Sequence, residues 1–310
     1  MKKISITGIA GFIGIHLYQK LKDTYVVTGV DRLNPDAVAS VDRSKRIPDC
    51  RIDSAGSFLN TESIKPDLVI HLAASTGIRN SIFEPDLYLE NNVVQTFQLL
   101  EACRKNGVKY VIYASSSSVY EPGLGVMNEQ SATEKQLSFY GTTKKISEIM
   151  IENYCRQFGL VAIGLRFFTV YGSWIRPDMA GFLFMESIRK GNPIRLYNQG
   201  EVFRDFTHVS DVVHAIALLV EKIQSEPSGT HQLFNIGFGT PVSILNYAQV
   251  IAKNMKLPLV YDFHNLPENE LKLTHCDNSK LTAYIHFTPT VDIEAGVKEM
   301  VDWYQDYRNE

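Results

Sequence analysis

The sequence predicts an α/β fold, a doubly wound parallel sheet with a smaller lobe interleaved with it. Three observations predict it. Short apolar runs alternate with helical patterns through the first half of the chain, the βαβ rhythm of a parallel sheet. Runs such as Leu68-Val69-Ile70-His71-Leu72 and Tyr110-Val111-Ile112-Tyr113-Ala114 are apolar on both faces, as strands covered by helices on both sides require. A glycine-rich turn joins the first strand to the first helix.

Lys3 to Thr7 reads as the first strand, Phe12 to Leu21 as the helix after it and Tyr25 to Val30 as the second strand. A third strand precedes Asp53. Leu68 to Leu72 is the next, followed by a long helix over about Leu87 to Lys105. Tyr110 to Ala114 is a strand, Tyr140 to Phe158 a helix and Leu160 to Arg166 a strand again. After Phe168 the rhythm loosens, with Gly, Pro and Trp between Tyr171 and Pro177. Helices are expected over Phe182 to Lys190, Ser210 to Lys222, Ser243 to Lys256 and Ile293 to Arg308, with a short strand at Gln232 to Ile236. Ser210 reads as an N-cap, with Asp211 near the positive end of the helix dipole.

The composition excludes several classes. A chain of 310 residues, 45% hydrophobic and 21% charged, buries a core without staples. Its formal net charge of −3 argues against coating nucleic acid. No run of ~18 apolar residues is present, so no transmembrane helix is expected. The apolar stretch from Ile4 to Leu17 is broken by Gly8, Gly11 and Gly14 and lacks a clean cleavage site, unlike a secretory leader. Cys50, Cys103, Cys155 and Cys276 lie far apart and form no CxxC. That spacing indicates neither a metal site nor a disulfide framework, and suits reduced thiols in the cytoplasm.

The turn reads Thr7-Gly8-Ile9-Ala10-Gly11-Phe12-Ile13-Gly14. Its first glycine permits the tight turn, its second lets the backbone approach a pyrophosphate, and its third lets helix and strand pack closely. Helix N-terminal amides then favour the anion. Asp31 ends the second strand, where a carboxylate accepts hydrogen bonds from the ribose hydroxyls of NAD and repels a 2′-phosphate. Arg32 beside it leaves NADP open. Asp53 reaches the adenine or caps a helix.

Tyr140-Gly141-Thr142-Thr143-Lys144 is YxxxK. Positions i and i+4 share a helix face, so the ammonium of Lys144 lies near the phenol of Tyr140. A positive neighbour favours phenolate and lowers the tyrosine pKa from its usual ~10, giving a base for a sugar hydroxyl. The run Ser115-Ser116-Ser117-Ser118 ends a central strand, at the sheet edge where ligands bind.

With these motifs, the chain resembles the extended short-chain dehydrogenase/reductase superfamily, in its nucleotide-sugar epimerase/dehydratase branch. TGIAGFIG, VIHLAA, ASSSSVY, YGTTK, LRFFTVYG and RDFTHVSD carry the resemblance along essentially the whole chain. It implies a Rossmann-type domain over residues 1–168, with about 200–237 added. It also implies a nucleotide-sugar lobe that is mainly 169–310. By the same likeness Gly8, Gly11, Phe12, Ile13, Gly14, Asp31, Asp53, Leu72, Ala73, Ala74 and Asn92 contact NAD, with Tyr140 and Lys144. Ser116 matches the catalytic Ser/Thr position, and Tyr140 and Lys144 the catalytic pair.

Dehydratases of this branch place Asp-Glu after the catalytic Thr, and related decarboxylases carry a Glu in this loop. Ser117 and Ser118 stand there instead, which leaves C4 epimerisation through a 4-keto intermediate. The segment from Phe167 to Ala180, with Thr169 and Arg176-Pro177-Asp178-Met179-Ala180, is similar to UDP-glucuronate 4-epimerases. A substrate carboxylate suits an arginine fork and hydroxyl donors, which Arg176, Thr169, Ser117 and Ser118 supply. A held carboxylate is also protected from loss as CO₂ while C4 is a ketone.

The resemblance puts Arg204 on the pyrophosphate and Tyr197 against uracil, although Tyr197 also reads as an ordinary packing residue. Departures from the family are Glu121 in place of Gly, Ser173 and Ile175 around Trp174, and Pro267-Glu268-Asn269-Glu270 in place of Pro-Gly-Asp. The expected substrate conversion is UDP-glucuronate to UDP-galacturonate, as a cytoplasmic homodimer without nucleic-acid or membrane partners, supplying surface polysaccharide. The alternatives are another UDP-hexose or UDP-N-acetylhexosamine uronate, or a non-catalytic NAD(P) sensor on the same fold.

Overall fold

β1 (Lys3–Thr7), β2 (Val26–Asp31), β3 (Cys50–Ile52), β4 (Leu68–His71), β5 (Tyr110–Ser116), β6 (Val161–Phe167) and β7 (His231–Ile236) form one sheet. The computed structural model describes residues 2–33, 38–48, 50–59, 65–267 and 270–309. The strand order is β7-β6-β5-β4-β1-β2-β3. β1 to β6 pair in parallel. All seven residues of β6 and all four of β4 are buried, as two-sided coverage demands. The chain runs outward from β1 to β3, then returns to β4 and builds the other half. A crevice therefore opens at the C-terminal ends of β1 and β4, the switch point where doubly wound sheets bind ligands.

Helices α1 (Phe12–Leu21), α2 (Gln95–Asn106) and α3 (Phe139–Phe158) belong with this sheet. Val69 and Val111 from the sheet meet Leu99 of α2 and Ile151 of α3 in its core. Ser138 caps α3 by accepting from the Gly141 N–H, and Gly159, at φ 71°, ends it.

The long helix expected over Leu87 to Lys105 is broken. Short helices at Asn80–Phe83 and Pro85–Tyr88 lead into a π-turn at Leu89–Val94, and α2 begins only at Gln95. The Asn92 carbonyl in that turn accepts from the Thr96 and Ser147 hydroxyls at 2.6 and 3.1 Å. Two hydroxyls thus converge on one carbonyl at the point where the helix departs from the regular ladder.

The chain divides into two units. The first comprises Met1–Pro122, Glu129–Phe167 and Val213–Asn235, and contains the sheet. The second comprises Gly123–Asn128, Phe168–Val212 and Ile236–Glu310. It holds a three-stranded sheet of Pro241–Ser243, Phe203–His208 and Thr169–Tyr171, and two-stranded pairs of Tyr261–His264 with Ile194–Tyr197 and of His275–Cys276 with Val126–Met127. It also holds helices Ala180–Lys190, Ile244–Met255, Ser279–Ile285 and Ile293–Asn309, with Phe206 stacked on Tyr247 at 4.3 Å in its core.

The helix expected to start at a Ser210 cap starts at Val209. Ser210 instead hydrogen-bonds the His208 ring at 2.7 Å, and Asp211 accepts from the Thr290 and Val291 backbone N–H groups. None of the four cysteines forms a disulfide, and among the described residues no helix is long and apolar enough to cross a membrane.

Candidate active site

The glycine turn sits at the switch point, and its glycines are sterically required. Gly8 has φ +73°, and a Cβ there would lie 2.7 Å from the Ala73 backbone nitrogen. A Cβ on Gly14 would lie 2.2 Å from the Gly8 carbonyl. Gly11 is the N-cap of α1 and offers no side-chain cap. The first N–H groups of the helix, at Phe12 and Ile13, therefore have no intrahelical acceptor and suit an anion. The Phe12 side chain is buried, so any contact it makes with a ligand is through its backbone. Leu72, Ala73 and Ala74 follow β4 half-buried, opposite the turn.

Asp31 ends β2 and closes the other side. Its carboxylate accepts from the Ala10 and Leu33 backbone N–H groups, each at 3.1 Å. Burial raises its pKa, opposed by those two N–H groups and by Arg43. Arg43, buried at 4% exposure, donates to the Ala10 carbonyl at 2.5 Å, so residue 10 of the turn is held from both sides. The sequence reading did not single out Arg43. Arg32 is exposed and donates to Asn91 at 2.6 Å. Asp53 accepts from the Ser54 N–H and the Ser57 hydroxyl, while the cap of the helix Ala55–Phe58 is Ser54, whose side chain accepts from the Ser57 N–H.

Ser116 closes β5. Its hydroxyl accepts from the Ser118 N–H at 3.1 Å and caps the 3₁₀ turn Ser117–Val119, with Ser117 and Ser118 half-buried. Tyr140 and Lys144 share a face of α3, and a Cβ on Gly141 between them would lie 2.2 Å from the Ser118 carbonyl. The glycine in YxxxK is therefore what lets α3 close on the serine turn. Lys144 is 5% exposed and donates to the Ala114 carbonyl at 2.8 Å. Burial pushes its pKa down to about 8, while Glu148 pulls it up. The Tyr140 ring meets Tyr88 edge-on at 6.1 Å, and Tyr88 donates to the Thr76 carbonyl at 2.6 Å.

Asn92 is 1% exposed and fully engaged: it accepts from the Ser75 N–H and donates to the Ser75 carbonyl and the Thr143 hydroxyl. A hydroxyl chain runs beneath it. Thr96 donates to the Asn92 carbonyl, so its oxygen accepts the Nε2 proton of His71 at 3.1 Å. His71 Nδ1 then accepts from Thr7 at 2.7 Å, and Thr7 accepts from the Ala73 N–H at 3.4 Å. The ring is neutral, because burial and the Lys144 ammonium push its pKa down to about 3.

Glu148 and Arg166 were also missed. They form a bidentate pair, with Nε to Oε1 and Nη2 to Oε2 both 2.8 Å and side-chain exposures of 3% and 2%. The only local signal was a glutamate one turn beyond YxxxK.

In the second unit, Arg176 forks onto Asp178 at 2.9 and 2.7 Å. Its loop is fixed by Trp174, at φ +59°, whose ring packs on Trp303 and Tyr307 at 5.4 and 5.6 Å. Ser173 donates to Glu299, and Ile175 is 1% exposed, so the two departures around Trp174 serve as anchors. Thr169 is half-buried at the start of its strand. Arg204 pairs with Glu270 at 3.0 Å, while Glu268 and Asn269 lie outside the described residues. Tyr197 is half-buried, with His264 edge-on at 6.3 Å.

A model of the NAD dependent epimerase/dehydratase family matches residues 4–237. Over 335 residues the chain is 36% identical to Protein CapI of Staphylococcus aureus, covering 98% of this chain and 99% of that protein. It is 32% identical over 331 residues to a probable UDP-glucuronate 4-epimerase of Rhizobium meliloti, covering 98% and 97%. A solved UDP-glucuronic acid 4-epimerase from Bacillus cereus, in complex with UDP-glucuronic acid and NAD, superposes with a TM-score of 0.89 at 30% identity, covering 98% of this chain and 99% of that one.

Proposed function

Because the chain belongs to the NAD dependent epimerase/dehydratase family, we propose that it is an NAD-dependent nucleotide-sugar 4-epimerase that converts UDP-glucuronate to UDP-galacturonate. The relatives and the solved neighbour, by their names, support that substrate. The observation that carries the chemistry is Lys144. It is a buried lysine on the Ala114 carbonyl, one helical turn from Tyr140, beside the strand that ends in Ser116.

The residues present fit the cofactor. A Cβ on any of the three glycines would meet backbone atoms of the turn or of Leu72-Ala73, so only glycine lets the turn close with its amides bare, and the start of α1 has no side-chain cap. Gly8, Gly11, Phe12, Ile13 and Gly14 would hold the pyrophosphate by backbone N–H groups, and Asp31 the adenosine ribose. Leu72, Ala73 and Ala74 line the same cleft. Asn92 and Asp53 act from behind, since both are occupied by local partners. When bound, NAD supplies the acceptor, and then the donor, of the C4 hydride.

Tyr140 takes the proton of the C4 hydroxyl and later returns it. The Lys144 ammonium favours the phenolate that does this, and Ser116 hydrogen-bonds the same sugar oxygen. Ser117 and Ser118 offer hydroxyls and no acid, which disfavours elimination of water from the sugar. In the second unit, Arg176 and Thr169 bind the sugar carboxylate, Arg204 the pyrophosphate and Tyr197 the uracil. That unit is the nucleotide-sugar lobe of this reading. A homodimer belongs to it too: Phe97 near the start of α2 and Ile149 on α3 are 48% and 55% exposed, apolar surface that a second copy would cover. Cytoplasmic supply of a uronate for surface polysaccharide completes it.

The test is incubation with a panel of UDP-sugars and no added NADH, read by anomeric proton NMR. Galacturonate signals from UDP-glucuronate are expected. Conversion of neutral UDP-hexoses alone would overturn the substrate. Tyr140→Phe is expected to lower turnover about a thousandfold with NAD still bound, and full activity in that variant would overturn the base.

A further inference from the structure

Tyr140, Lys144 and Glu148 fall at i, i+4 and i+8 on α3, one face of one helix. The first two belong to the reaction proposed above. Glu148 does not, yet its carboxylate is the most heavily engaged acid on that face. Its Oε1 accepts from the Ser115 hydroxyl at 2.6 Å and from Arg166 Nε at 2.8 Å. Its Oε2 accepts from Arg166 Nη2 at 2.8 Å. Arg166 Nη1 reaches on to the Tyr120 hydroxyl at 3.1 Å and the Glu129 carbonyl at 3.2 Å. Tyr120 donates to Asn235, whose own N–H donates to Glu129.

A buried ion pair is a poor way to stabilise a fold, because apolar residues of the same volume do as well or better. Its location suggests another use. Glu148 is on the helix of Tyr140 and Lys144. Ser115 precedes Ser116 on β5 and, by strand alternation, faces the other side of the sheet. Arg166 comes from β6, the neighbour of β5 in register from Tyr110↔Val161 to Ser116↔Phe167. One carboxylate thus ties together the elements that carry all three reacting side chains.

We propose that Glu148, clamped by Arg166 and Ser115, is a positioning residue that keeps the Lys144 ammonium charged and locks α3 to the end of β5. The proposal rests on the Tyr140–Lys144 reading. The groups that face Lys144 are His71 from β4, and Tyr140 and Glu148 from its own helix. Those around Glu148 are Arg166 from β6, Tyr113 from β5, Tyr120 after it, and Lys145 and Glu152 on α3. Burial keeps His71 neutral and raises Tyr113 well above the ordinary tyrosine value, so neither supplies charge to Lys144. Glu148 supplies a negative one, against the burial that pushes Lys144 down to about 8.

The experiment replaces Glu148 by Gln, which keeps shape and one acceptor, and by Asp, which keeps charge but draws it back. Lys144 ionisation is read by ¹³Cε-lysine NMR, with its resonance assigned by its loss in Lys144→Arg. The kcat–pH profile is read in parallel. For Glu148→Gln the Lys144 midpoint and the alkaline limb of kcat are expected to fall together by about one pH unit. For Glu148→Asp, which keeps the counter-charge of Arg166 and so folds even if the Gln variant does not, a smaller fall of both is expected. Loss of activity with both midpoints unmoved would show a packing role only and overturn the proposal. Failure of the underlying reading looks different: Tyr140→Phe stays active while the NMR midpoint of Lys144 still responds to Glu148.

Discussion

Two arginine–carboxylate forks in this molecule share a geometry and differ in their surroundings. Arg166 grips Glu148 at 2.8 and 2.8 Å, and Arg176 grips Asp178 at 2.9 and 2.7 Å. The first pair is 2% and 3% exposed, the second 29% and 47%. Bond lengths alone would rank them equal. Solvent decides otherwise: an exposed pair is screened and competes with water, whereas a buried one has no substitute partner. The first joins a helix to two strands and locks them. The second spans two positions of one loop and can exchange its carboxylate. On the function proposed above, the groups that perform the reaction would be held by contacts that do not exchange, and the group that recognises the substrate by one that does.

The contrast breaks first at Arg166. Arg166→Met leaves Glu148 buried without its counter-charge and is expected to cost ~3–5 kcal/mol in a denaturant unfolding series. The double variant Glu148→Met with Arg166→Met is expected to recover most of that stability without recovering turnover. A single variant that unfolds at the wild-type midpoint would make the two forks energetically alike.

The same contrast separates what the sequence discloses from what it hides. The glycine turn was legible because its steric demand falls on the glycines themselves: no Cβ fits between Gly8 and Ala73. Tyr140 and Lys144 were legible because one helical turn joins them. Arg166 was not. It stands alone among apolar residues of β6, and its partner lies on a different element with no periodicity linking them. The two hydroxyls that shape the π-turn at Leu89–Val94 are equally silent, since Ser147 reaches Asn92 from α3. The strands at Thr169–Tyr171, Pro241–Ser243 and His275–Cys276 are two or three residues long, too short to show alternation. The engagement of Arg176 with Asp178 was not legible either, because the two side chains meet across a loop with no periodicity to announce it.

Arg176→Ala sharpens the recognition side. A charged hydrogen-bonding partner lost from a bound carboxylate is worth ~1.5–3 kcal/mol, so kcat/KM for UDP-glucuronate is expected to fall roughly ten- to hundredfold. For UDP-glucose, which has no carboxylate, a change of at most about threefold is expected. Unfolding stability is expected to hold, because the fork is partly solvated. Equal losses for both sugars would mean that Arg176 shapes the loop behind Trp174 instead of reading the substrate.

The smallest effect is expected at Asp178, and it tests the idea of exchange directly. With the side chain 47% exposed and its partner two residues away, the pair stabilises the fold by under ~1 kcal/mol. Asp178→Asn should therefore unfold with the wild type. Its carboxylate nonetheless occupies the fork that, on the function proposed above, a sugar carboxylate would take. Removing the charge relieves that competition, and KM for UDP-glucuronate is expected to drop roughly two- to fivefold, with UDP-glucose unaffected. A rise in KM for the uronate alone would mean that Asp178 aims the guanidinium at its substrate. The exposed fork would then hold its arginine in place as the buried one does, and the line between locking and exchanging contacts would not follow solvent exposure.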